Sequence, residues 1–127
     1  MVVVDSSVWI SYLRSPDSAT GRAMDSLLGQ AQVVMLGVVL AEVVQGGRTE
    51  QDRRRLESTL RSLPYIEVQR GTWVRTSALS AELRSRGYTL PFTDLLIAAL
   101  ALESDCEVFT LDRHFDLIPG LKLHLAA

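Results

Sequence analysis

Cysteine is nearly missing from this sequence. Cys106 is the only one in 127 residues, which excludes a disulfide framework and suits a reducing cytoplasm. Lysine is as scarce: of 13 cationic side chains, Lys122 alone is lysine and the rest are arginine. Arginine binds phosphate in a bidentate manner, although a GC-rich genome produces the same bias. The net charge is only −2, so there is no global basic footprint, and any nucleic acid must bind through a local patch. Long apolar runs are missing too. The longest, Leu95 to Leu102, falls short of the roughly 18 residues a membrane span needs. Met-Val-Val-Val at the start has no basic segment and is interrupted by Asp5, unlike a signal peptide. The expectation is a cytoplasmic protein with no membrane partner. Several site types lack their parts: there is no phosphate-binding Gly-x-x-x-x-Gly-Lys-Ser/Thr loop, no Gly-x-Gly-x-x-Gly turn and no Gly-x-Ser-x-Gly elbow.

What is present suffices for a core. With 47% apolar residues the chain is not disordered, and its length suits one domain, residues 1–127. The β-branched run Val2-Val3-Val4 reads as a buried strand closed by Asp5. Ser6 is placed to cap a helix over Ser7 to Leu13, broken at Arg14-Ser15-Pro16-Asp17. A second helix follows over Thr20 to Gln30, then a strand over Val33 to Leu36. The next helix, Val38 to Gln45, ends at Gly46-Gly47. Thr49 caps a polar helix with a Leu56, Leu60 and Leu63 stripe, and Pro64 stops it.

Tyr65 to Val68 reads as a third strand. The helix Thr72 to Arg86 has Val74, Ala78 and Ala81 inward and Gly87 past its end. Thr93 is placed to cap the apolar helix Asp94 to Glu103. A strand over Glu107 to Leu111, a helical turn over Arg113 to Leu117 and a last strand over Leu121 to Leu125 complete the chain. Strands alternating with helices predict an α/β fold, a three-layer α/β/α sandwich with a mostly parallel central sheet. In such sheets ligands sit beyond the carboxyl ends of the strands.

Carboxylates stand where that rule points. Asp5 ends the first strand, Asp112 follows the fourth, and Asp94 opens the apolar helix. Glu42 is the one charge in Val38-Val39-Leu40-Ala41-Glu42-Val43-Val44. Singly, each has an ordinary structural explanation: a helix dipole partner for Asp94, a turn residue for Asp112, a cap neighbour for Asp5. Together, four converging carboxylates would repel one another and have raised pKa values. A hard oxygen-seeking cation, Mg²⁺ or Mn²⁺, relieves that repulsion. Paired cations about 4 Å apart are a known device for hydrolysing phosphodiesters. Replacing Asp5 by Asn should then raise stability when no metal is bound.

The chain resembles PIN-domain ribonucleases of the VapC toxin type, from type II toxin–antitoxin modules. The resemblance spans nearly its whole length. It rests on Val3-Val4-Asp5-Ser6-Ser7-Val8-Trp9, Leu40-Ala41-Glu42-Val43, Pro91-Phe92-Thr93-Asp94-Leu95-Leu96-Ile97-Ala98-Ala99 and Phe109-Thr110-Leu111-Asp112-Arg113-His114-Phe115. It implies Mg²⁺-dependent RNA cleavage with Asp5, Glu42, Asp94 and Asp112 as metal-site acids, Mn²⁺ being able to substitute. It further implies a homodimer, inhibition by a cognate antitoxin, and structured RNA such as tRNA as substrate. Some members carry a further acid two residues after the one matched by Asp112. Here His114 stands there, and the next acid is Asp116.

Supporting residues have two readings each. Ser6, Thr110 and Asp116 are candidates to bond a carboxylate or a cation-bound water, although capping and strand propensity also account for the two hydroxyls. Arg113, beside Asp112, is a candidate substrate contact. Arg48, Arg53, Arg54, Arg55 and Arg61 read as a solvated face. Trp9 and Tyr12 read as core or dimer-contact residues, and His114 as a packing or surface residue. Two other functions are compatible with the sequence. One is an inactive PIN-like interaction module. The other is a phosphoacceptor or phosphatase using Asp5, which would need a cation such as Lys122 at the site.

Overall fold

A computed structural model describes residues 1–125. The strands are β1 (Val2–Val4), β2 (Val33–Leu36), β3 (Tyr65–Ile66) and β4 (Glu107–Phe109). The helices are α1 (Ser6–Arg14), α2 (Ala19–Gly29), α3 (Gly37–Val44), α4 (Glu50–Arg61), α5 (Arg70–Ser85) and α6 (Phe92–Glu103), with a 3₁₀ turn over Arg113–Leu117. The strands form one sheet in the order β3-β2-β1-β4. Every strand pair is parallel, as expected: Val3 pairs with Val34 on one side and with Val108 on the other. Strands covered on both faces read as unbroken apolar runs rather than alternations, and all residues of β1 and β2 are buried.

Strand order determines where the helices lie. From β1 the chain steps to β2 and then β3, then returns past β1 to place β4 on its far side. Right-handed crossovers in opposite directions put their helices on opposite faces. Accordingly α1, α2, α3 and α4 pack among themselves, while α5 packs on α6. The order reverses between β1 and β4, the switch point at which open parallel sheets bind ligands.

Local details depart from the sequence expectations. Asp5, not Ser6, occupies the cap position of α1: its carbonyl receives the Val8 and Trp9 amides at 3.1 and 3.2 Å. Ser6 is the first helical residue. Helix α6 is capped at Pro91, so Thr93 lies inside it. The inward face of α5 is Thr72, Thr76, Leu79 and Leu83, whereas Val74, Ala78 and Ala81 are exposed. The third strand is two residues long. The expected last strand reduces to one parallel bridge between Val108 and Leu123. Lys122 O accepts from the Val108 amide at 2.9 Å and the His124 amide donates to Val108 O at 2.8 Å. Leu125 then turns out to solvent.

Other expectations agree with the coordinates. Thr49 caps α4 through its hydroxyl, which accepts the Asp52 amide at 3.0 Å. Gly87 follows α5 with φ at +89°, the left-handed conformation glycine adopts without strain. Seven consecutive residues of α6, Leu95 to Ala101, are buried, which anchors its N-terminus against the switch point. Trp9 is buried and its ring lies 6.3 Å from that of Tyr12. No helix among the described residues is long and apolar enough to cross a membrane.

Candidate cation site at the switch point

Four elements deliver one carboxylate each. Asp5 leaves β1 and caps α1. Glu42 sits on α3, off the buried Val39–Val43 stripe and only partly covered. Asp94 is in the first turn of α6, where the helix dipole favours an anion. Asp112 follows β4 and caps the 3₁₀ turn, its Oδ1 accepting the His114 amide at 2.9 Å.

Asp5 is the best-held acid. It is buried, and its Oδ2 accepts hydroxyl protons from Ser7 at 2.8 Å and Thr110 at 2.9 Å. Each hydroxyl also accepts an amide: Ser7 Oγ from Leu111 at 3.1 Å and Thr110 Oγ1 from Asp112 at 3.0 Å. With both amides donating to the hydroxyls, their protons are directed at Asp5. This bracing joins the exit of β1 to the exit of β4 across the switch point.

Glu42 and Asp94 respond to burial and to neighbouring charge. Burial raises the Glu42 carboxyl above the usual range, and the charges of Asp5 and Asp94 add to the rise against the pull of the Ser6 hydroxyl. Burial likewise raises Asp94, the bond from His114 opposes it, and the charges of Asp112 and Asp5 reinforce it. The charges of Asp5 and Asp94 thus reach Glu42 and those of Asp112 and Asp5 reach Asp94, while the close group by distance is Asp94, Asp112 and His114. Glu42 Oε1 is buried and has no hydrogen-bond partner, a cost that a buried acceptor bears only when something else satisfies it. The donors are mostly carboxylate oxygens, the set that hard divalent cations take. These residues fit a divalent cation.

His114, expected to be a packing or surface residue at the position where some family members carry a further acid, belongs to this cluster. Its Nδ1 lies 3.2 Å from Asp94 Oδ2 and 3.1 Å from Asp112 Oδ1. Asp94, Asp112 and His114 each offer an atom within 4.8 Å of the others. Ser7 lies inside the Val3 to Trp9 motif, yet only the return of β4, through the Leu111 amide, distinguishes it from Ser6 as the partner of Asp5. Asp116 is exposed and lines a shallow hollow with Arg113, Leu123 and His124, and is not part of that three-residue group. Arg113 is exposed and makes no ion pair among the described residues. Lys122 pairs with Asp105 at 3.2 Å. Asp105 precedes β4, so this amine lies at the opposite end of the sheet from Asp5 and supplies no cation to a phosphoacceptor there.

Comparison with known proteins gives a consistent family. The model of the PIN domain family matches residues 2–121. The chain is similar to ribonuclease VapC11 of Mycobacterium tuberculosis, 28% identical over 122 residues, covering 93% of this chain and 91% of that one. Among solved structures it is similar to VapBC2 from Rickettsia felis bound to a promoter DNA fragment. The TM-score is 0.81 at 22% identity, with 98% of each chain covered. It is also similar to a toxin–antitoxin complex from Klebsiella pneumoniae, with a TM-score of 0.77 at 22% identity and 95% of each chain covered.

Proposed function

The chain belongs to the PIN domain family, and from that premise we propose that it is a divalent-cation-dependent endoribonuclease acting as the toxin of a toxin–antitoxin pair. The observation that supports the reading is the close Asp94, Asp112 and His114 group at the sheet's switch point, within reach of the charge of Asp5 and next to a Glu42 whose buried Oε1 is unpartnered. Asp5, Glu42 and Asp94 would hold one Mg²⁺ or Mn²⁺, and Asp112 with Asp94 a second. When bound, such ions supply a nucleophile from water at neutral pH and offset the charge that builds on the phosphate.

The chain's own groups prepare this arrangement. Ser7 and Thr110 fix the orientation of the Asp5 carboxylate through their hydroxyl bonds. The first turn of α6 steadies Asp94. Arg113, exposed beside Asp112, is free to meet an RNA phosphate. RNA is the proposed substrate because the ribonuclease relative matches over nearly all of both chains. An antitoxin is the proposed partner because a similar structure is a toxin–antitoxin complex. A homodimer in the cytoplasm completes the reading.

The test is cleavage of a folded RNA such as tRNA by the purified chain. Cutting should need Mg²⁺ or Mn²⁺, stop on addition of EDTA, and be abolished by Asp94→Asn with the fold intact by circular dichroism. Cutting that survives both EDTA and Asp94→Asn refutes the proposal.

A further inference from the structure

The imidazole of His114 reaches two of the acids at once. Its Nδ1 is 3.2 Å from Asp94 Oδ2 and 3.1 Å from Asp112 Oδ1. Neighbouring ligands of an octahedral ion with bonds of about 2.1 Å lie about 3.0 Å apart. The spacing of these atoms therefore matches one edge after another of a single coordination sphere. The backbone is set for it as well, because the His114 amide is held by Asp112 Oδ1 at 2.9 Å. That bond ties the ring to the 3₁₀ turn carrying Asp112. The ring is half-exposed, so an ion and its waters can enter from solvent.

We propose that His114 Nδ1 is a cation ligand, completing an Asp94–Asp112–His114 position that prefers first-row transition dications over Mg²⁺. This rests on the reading of the switch point as a cation centre. Imidazole nitrogen binds first-row transition ions well and Mg²⁺ poorly, since Mg²⁺ favours oxygen and retains its waters. An aspartate at position 114 would remove that bias and leave a site of hard oxygens. His114 therefore sets which ion the second position takes, while the acids set whether an ion binds at all.

Mn²⁺ alone, added to the purified chain without RNA, is the probe. Pulsed electron paramagnetic resonance reads nitrogen coordination directly, and competition calorimetry reads the Mn²⁺-to-Mg²⁺ affinity ratio. The chain has only two histidines, and the other, His124, pairs with Glu107. The wild type and His124→Gln should both show a directly bound ¹⁴N. His114→Asp and His114→Gln should lose it. In His114→Asp the ratio should fall on the order of ten- to a hundredfold, the size of effect known for ligand-supporting groups. Bound Mn²⁺ without nitrogen coupling in the wild type, or an unchanged ratio in His114→Asp, overturns the proposal. The ring would then be only a hydrogen-bond donor between two acids. No bound Mn²⁺ at all would instead remove the cation reading of the whole site.

Discussion

Glu42 is held in the fold at the expense of stability. Its Oε1 is buried without a partner, and its carboxyl is raised by burial and by the charges of Asp5 and Asp94. A carboxyl raised on folding favours the fold fully below its unfolded pKa and loses that contribution as pH rises through the folded value. Without divalent ions, the neutral amide in Glu42→Gln should therefore raise the melting temperature at pH 7 by a few degrees. The gain should shrink as pH falls toward the ordinary carboxylate range, and parallel melting curves in EDTA at several pH values would read it. A variant less stable than wild type at pH 7 would contradict the repulsion. Asp5→Asn tests the same idea less cleanly, because two hydroxyls donate to Asp5. Thr110→Val addresses those bonds. It leaves the buried Asp5 with one hydroxyl and the Asp112 amide without its acceptor, and should cost about 1–3 kcal/mol by urea unfolding.

At the level of elements, α5 separates what is legible in sequence from what is not. Its apolar residues suggested Val74, Ala78 and Ala81 as the core face, yet the buried stripe is Thr72, Thr76, Leu79 and Leu83. Threonine concealed it. Thr76 donates to the Thr72 carbonyl at 2.7 Å and Thr72 to Glu103 at 2.8 Å, so both hydroxyls enter the interior satisfied. Leu83→Ala should cost about 2–5 kcal/mol, whereas Val74→Ala should stay within about 0.5 kcal/mol of wild type; equal costs in chemical denaturation would reject this face. The β-branched runs of β1 and β2 and the apolar run of α6 were readable because burial on all sides leaves no polar residue to obscure them. The last strand was not readable, because alternation gives no information about whether a partner strand is in reach. The acids stood out against apolar neighbours. Ser7 did not, since its bond from the Leu111 amide arises only when β4 returns beside β1, and the His114 contact with Asp94 arises only when α6 packs beside the 3₁₀ turn.

The whole molecule connects these scales through its topology. Reversal of strand order between β1 and β4 opens a crevice, and α3 and α6 bring two further acids to it from opposite sides of the sheet. The folded chain therefore gathers charge that the unfolded chain keeps apart. A ligand that binds the gathered state and not the dispersed one stabilises the fold by mass action. At a free concentration one hundred times its dissociation constant, a divalent cation should add about 2.7 kcal/mol, seen as a higher melting temperature. Sodium chloride of equal ionic strength should not reproduce the rise, because screening weakens exposed charges without satisfying Glu42 Oε1. Asp94→Asn should lose most of the increment, since Asp94 lies close to Asp112 and feels the charge of Asp5 as well, while Arg54→Gln on the solvated face of α4 should retain it. A rise matched by sodium chloride, or one preserved in Asp94→Asn, would mean that the ion acts on the general field of the protein and not in the crevice.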